Sequence, residues 1–127
     1  MQFEQFFSKL NAPVSINRLI EDKITGKDDI MLSAVNTLFA ERFFVQGESL
    51  IGRKKEAVYP CINQIQLTEI ANGVKAGKHV RFPYFYHERT FTTYDLSIIS
   101  LSEDKFAMVF LATSDNSSTL NKISAGS

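Results

Sequence analysis

Three sets of side chains in this sequence have types and spacing that could do chemistry. Cys61, His79 and His87 offer a thiol and two imidazoles, the usual ligands of zinc and haem iron and the usual proton carriers near neutral pH. One thiol with two scattered histidines is a poor start for a four-ligand zinc site, and a lone cysteine excludes an internal disulfide framework. A second set is basic. Lys75, Lys78, His79 and Arg81 could hold an anion, as could the run Arg53-Lys54-Lys55. Lysines at this spacing also read as the solvated, dipole-complementing end of a helix. The third set is Asp95 with His87, a carboxylate and an imidazole that would form an acid–base pair if one apolar pocket held both.

Composition narrows these options. Fourteen basic and fourteen acidic residues cancel, so no global field draws nucleic acid or an anionic membrane. Hydrophobic residues at 44% and charged residues at 22% are the balance of an ordinary globular chain, and 127 residues suit one domain. No apolar run approaches the ~20 residues of a membrane span, and the N-terminus lacks the basic and apolar regions of a signal peptide. A cytoplasmic location is the expectation. Eleven phenylalanines and no tryptophan predict an aromatic-rich core.

The elements that must position these groups are legible as periodicities. Phe3, Phe6, Phe7 and Leu10 form one stripe on a short amphipathic helix over residues 1–10, ended by Asn11-Ala12-Pro13. Residues 14–20 and 30–35 read as a hairpin around the turn residues 26–29. Asn36 stands at a helix N-cap, with Phe39 and Phe43 on one face and Gly47 as a stop. Residues 48–59 are too short and mixed for one long helix and predict one or two helical turns before Pro60. Leu67, Ile70, Ala71 and Val74 then keep the 3.6 period of a longer helix, weakened at Gly73 and stopped at Gly77.

Three strands follow. Val80, Phe82, Tyr84 and Tyr86 alternate with Arg81, Pro83, Phe85 and His87, then comes a turn at His87-Glu88-Arg89. Tyr94, Leu96 and Ile98 alternate in the next run, and after the turn at residues 102–105 FAMVFLAT closes the sheet. Pro83 cannot donate to a ladder, which puts its strand at an edge. The most continuous apolar run, the last, belongs in the centre. Residues 114–127 read as a polar linker or frayed tail.

This order, with NAPVSI, NTLFAERFF, GESLIGRKKEAVYP and EIANGVKAGKHVRFPYFY, resembles the PAS domain family of bacterial sensory proteins over about residues 11–113. The resemblance implies an α+β fold: a five-stranded antiparallel sheet with strands two and three outermost, short helices on one face, and the N-terminal helix beside it. FLATSDNSS departs from the family's usual ending, which bears on how a signal leaves the domain. PCINQ lacks the dense pattern around the flavin-linking cysteine of photosensory relatives, and residues 64–74 hold no axial histidine of the haem-binding kind. No cofactor is therefore expected.

The resemblance implies a non-catalytic sensory module. It would bind a small ligand or partner in a cleft between helices and sheet, and bias an output domain such as a diguanylate cyclase or histidine kinase in a longer parent protein. The cleft candidates are Phe43, Leu67, Ile70, Val74, Phe82, Tyr84, Tyr94, Leu96, Met108 and Phe110, each of which could equally be plain core. Tyr84 and Tyr94 lead because a buried phenol needs a polar partner. Phe3, Phe6, Phe7 and Leu10 pack either on their own sheet or on a second copy, making a homodimer. Two alternatives stand beside this reading. One is a small α+β cone enzyme resembling ketosteroid isomerases, with Asp95 and His87 as its pair. It suffers from the short first helix and from Asp95 alternating away from the apolar face. The other is a structural dimerisation domain with a filled cleft.

Overall fold

The computed structural model describes residues 11–44, 48–88 and 90–112. The amphipathic stripe of residues 1–10, the stop at Gly47, Arg89 of the hairpin turn and the tail beyond residue 112 lie outside them.

Five strands, β1 (Val14–Glu21), β2 (Asp28–Val35), β3 (Val80–His87), β4 (Thr92–Ser102) and β5 (Lys105–Ala112), form one antiparallel sheet in the order β2-β1-β5-β4-β3. The fold is α+β, with β2 and β3 at the edges and β5 in the centre. The last strand is central because its residues 106–110 are buried on both faces, as its unbroken apolar run requires. Pro83 sits in an edge strand, where its missing N–H costs least.

Three helices complete the described chain: α1 (Thr37–Phe43), α2 (Lys55–Val58) and α3 (Gln64–Lys75). Asn36 caps α1, its Oδ1 accepting from the backbone N–H of Phe39 at 2.9 Å. The same oxygen accepts from Val14 N–H at 3.0 Å, and Asn36 Nδ2 donates to the Ala12 carbonyl at 2.7 Å. One side chain thus starts a helix and ties it to the first strand. Helix α3 opens with a reciprocal capping box between Asn63 and Gln66. It closes at Gly77, whose φ of +69° suits glycine, with Gly77 N–H bonded to Val74 and Lys78 N–H to Gly73.

The inner face of the sheet and the three helices enclose one continuous core that includes Ile30, Leu32, Phe39, Phe43, Val58, Tyr59, Ile70, Val74, Tyr94, Leu96, Met108 and Phe110. A smaller cluster of Ala12, Val14, Ile16, Ala107 and Val109 is buried on the outer face.

Strand β3 corrects the simple alternation. Pro83 and Tyr84 fall between the pairs Phe82–Leu96 and Phe85–Tyr94, opposite Asp95 alone. This bulge shifts the face by one residue. Val80 and Phe82 face the core before it, and Phe85 and His87 after it. Tyr84 and Tyr86, expected inside, are 84% and 48% exposed. His87, expected in an exposed turn, ends the strand and is buried.

Candidate functional site

The inner face is an aromatic cluster. Phe39 and Phe43 sit 4.6 Å apart between centroids, Phe43 meets His87 at 4.5 Å and Phe110 at 5.1 Å, and Tyr94 meets Phe110 at 5.5 Å. These separations are those of rings in direct contact. Phe43, Leu67, Ile70, Val74, Tyr94, Leu96, Met108 and Phe110 are therefore gathered in one buried cluster, with Phe82 half-buried at its margin. Tyr84 stands apart, on the outer face. The open cleft expected beneath the helices is occupied by the rings themselves. Tyr94 finds its polar partner in Thr90, to whose Oγ1 it donates at 3.1 Å.

A groove of about 330 Å³ opens on the surface beside this cluster, between the β1–β2 turn, α2 and α3. Asp22, Asp28, Lys54, Lys55 and Glu56 border it, and Leu67 of the core lies in its wall.

Sequence reading missed the polar centre of the interior. Ser15 and Asn17 on β1 and Tyr59 after α2 are all fully buried. The Tyr59 hydroxyl donates to Asn17 Oδ1 at 2.8 Å, and Asn17 Nδ2 donates to Ser15 Oγ at 3.0 Å. Ser15 Oγ and the Tyr59 hydroxyl are 2.6 Å apart. Since the phenol has one proton and spends it on Asn17, Ser15 is the donor in that last bond. The three bonds close a ring in which each residue donates to the next, an arrangement whose dipoles reinforce one another. Burial raises the Tyr59 phenol well above its ordinary pKa, only partly countered by its bonds to Ser15 and Asn17. It stays protonated and keeps the ring intact. The signal was present in VSINRLI, where Ser15 and Asn17 share the face of Leu19.

The groups first singled out are dispersed. Arg81 holds Asp95 through two bonds, Nε to Oδ1 at 2.8 Å and NH2 to Oδ2 at 2.7 Å, on the outer face of the sheet. His87 faces the inner core, so the acid–base pair of an isomerase-type site is not assembled. Lys75 bonds Asp28 at 3.1 Å, which separates it from Arg81, while Lys78 and His79 are exposed. Arg53 and Lys54 are exposed, and Lys55 Nζ donates to the Ile62 carbonyl at 2.6 Å. Burial pushes the half-buried Cys61 thiol above its usual pKa, away from the thiolate that nucleophilic or ligand chemistry needs. Among the described residues, no three His, Cys, Asp or Glu side chains converge on a metal position, and no helix is long and apolar enough to cross a membrane.

No known protein-family model matches the chain, and no curated protein shows significant similarity to it.

Proposed function

We propose that this chain is a non-catalytic sensory or regulatory module of the PAS type, which binds a small molecule or partner on the helical side of its sheet and biases an output domain elsewhere in a longer protein. The observation that carries this reading is the strand order β2-β1-β5-β4-β3 roofed on one face by short, separately attached helices. The roof is uneven in strength. Residues 50–62 contain only the four-residue helix α2, which has no side-chain N-cap bond. Leu50, Val58, Tyr59 and Ile62 anchor this segment in the core, so its opening exposes those four side chains, and a ligand that binds the open form better will populate it. Because the interior is filled with rings, ligand entry is an exchange of side chain for ligand. Self-association through Phe3, Phe6, Phe7 and Leu10 and a cytoplasmic setting belong to the same proposal.

A thermal-shift screen against small metabolites tests it, since selective binding to the folded state raises the midpoint. A reproducible rise with one chemical class is the expected result. Uniform indifference across the screen, with an unchanged exchange pattern in residues 50–62, would contradict it.

A further inference from the structure

The outer face of the sheet is buried where no described element lies on it. Val14 and Ile16 of β1 stand on that face beside Val109 and Ala107 of β5, and Ile99 of β4 continues the row beyond Ala107. Val14 is 1% and Ile16 4% exposed, although α1, α2 and α3 all give their buried side chains to the inner core. Strand pairing closes only the edges of a strand. A side chain standing up from the middle of a sheet loses its water only when something lies on top of it. The cover is partial, for Arg18, Leu111 and Tyr84 on the same face are exposed.

The cover comes from the chain outside the described residues, which has two long segments, 1–10 and 113–127. Both join the sheet at the same end, since Val14 pairs with Val109, so position does not choose between them. Chemistry does. Residues 1–10 carry Phe3, Phe6, Phe7 and Leu10 at the spacing of one helical stripe, with Glu4 and Lys9 off it. The second segment has Leu120 and Ile123 among serines and asparagines. Length agrees with the first choice. Ten helical residues span about 15 Å, and β1 from Val14 to Arg18 runs about 13 Å. Ala12, in the link between that segment and β1, is itself buried in the outer cluster.

We propose that the apolar stripe of residues 1–10 docks on the outer face of its own sheet, over Val14, Ile16 and Val109, and leaves the face open at Tyr84 and Leu111. This goes beyond the sensory reading and does not depend on it. It sets a condition on self-association: one stripe has one apolar side, so it must leave its own sheet before it meets a second copy. The covered chain is the monomer.

The test uses the intact, isotope-labelled chain at a dilution where sedimentation shows one chain per particle. Nuclear Overhauser contacts are expected from the rings of Phe3, Phe6 and Phe7 to the methyls of Val14, Ile16 and Val109. Contacts of those methyls with Leu120 or Ile123 instead, or with neither segment, would overturn the proposal. Ring contacts found only between chains, in a mixture of labelled and unlabelled protein, would overturn it as well. A second arm compares two double variants. Phe6→Ser with Phe7→Ser is expected to lose the shielding of these methyls from a soluble paramagnetic agent, while Ile70 and Leu96 of the inner core keep theirs. Leu120→Ser with Ile123→Ser is expected to change neither. Equal responses of the two variants, or shielding of Val14 retained in the first, would count against the proposal and for another cover.

Discussion

Two of the helices that cover the inner face, α3 and α2, are held in different ways. Helix α3 has twelve residues, a capping box at one end and a glycine stop at the other, and buries Leu67, Ile70, Ala71, Gly73 and Val74. Helix α2 has four residues, and of its own side chains only Val58 is buried. The residues flanking α2 add Leu50 and Ile62 to the core, together with Tyr59, whose hydroxyl joins the polar ring. Apolar packing is non-directional and spreads over many atoms, so it gives way only when the whole face separates. A ring of three hydrogen bonds depends on each of its members.

That contrast can be broken from either side. Ile70→Ala, at a fully buried position, should cost about 2–5 kcal/mol and lower the denaturant midpoint of the entire domain. Gly73→Ala should come next. A Cβ there would meet Val80 Cγ2, a methyl on a stiff β-branched side chain, so the expected cost is about 1–3 kcal/mol despite alanine's better helix propensity. Adding Val80→Ala should recover part of that loss in the same denaturation measurement. Tyr59→Phe should cost about 1–3 kcal/mol by leaving Ser15 and Asn17 without their shared partner, and its effect should concentrate in residues 50–62. An equal loss of protection throughout α3 would erase the distinction between the two helices.

The smallest effect lies on the other side of the sheet. Arg81 holds the Asp95 carboxyl below its ordinary pKa, chiefly through its hydrogen bonds. A depressed folded-state pKa contributes stability above the unfolded value, about pH 4, and that contribution is lost as pH falls through the folded value. Asp95→Asn should therefore be slightly less stable than the wild type at pH 7, with the gap closing below about pH 4. Acid titrations of both proteins by circular dichroism would show it, with the exchange rates of α2 and α3 unaffected.

Much of the architecture was legible in the residues. Asn36, the turn around Gly26, the stripe Leu67-Ile70-Ala71-Val74 and the unbroken run in β5 each carry a local cause that the fold respects. Pro83 marked its strand as an edge but did not reveal the bulge beside it. That bulge answers to the pairing with Asp95 and β4, which no local pattern contains, and it turned Tyr84 outward and His87 inward. Most of the apolar candidates are buried together because burial follows type, whereas Tyr84 is exposed. Their mutual contact was hidden, since whether helices roof a hollow or a filled core depends on three-dimensional packing. The polar ring was half visible. Ser15 and Asn17 share a face by period two, whereas Tyr59 reaches them from more than forty residues away.

The claim that residues 50–62 form the releasable part of the roof is tested most directly by native-state amide exchange of the ligand-free chain. The account predicts that Gly52 exchanges through local opening, well before the central amides of β5 and those of α3. Exchange of Gly52 in step with β5, at the free energy of global unfolding, would contradict it.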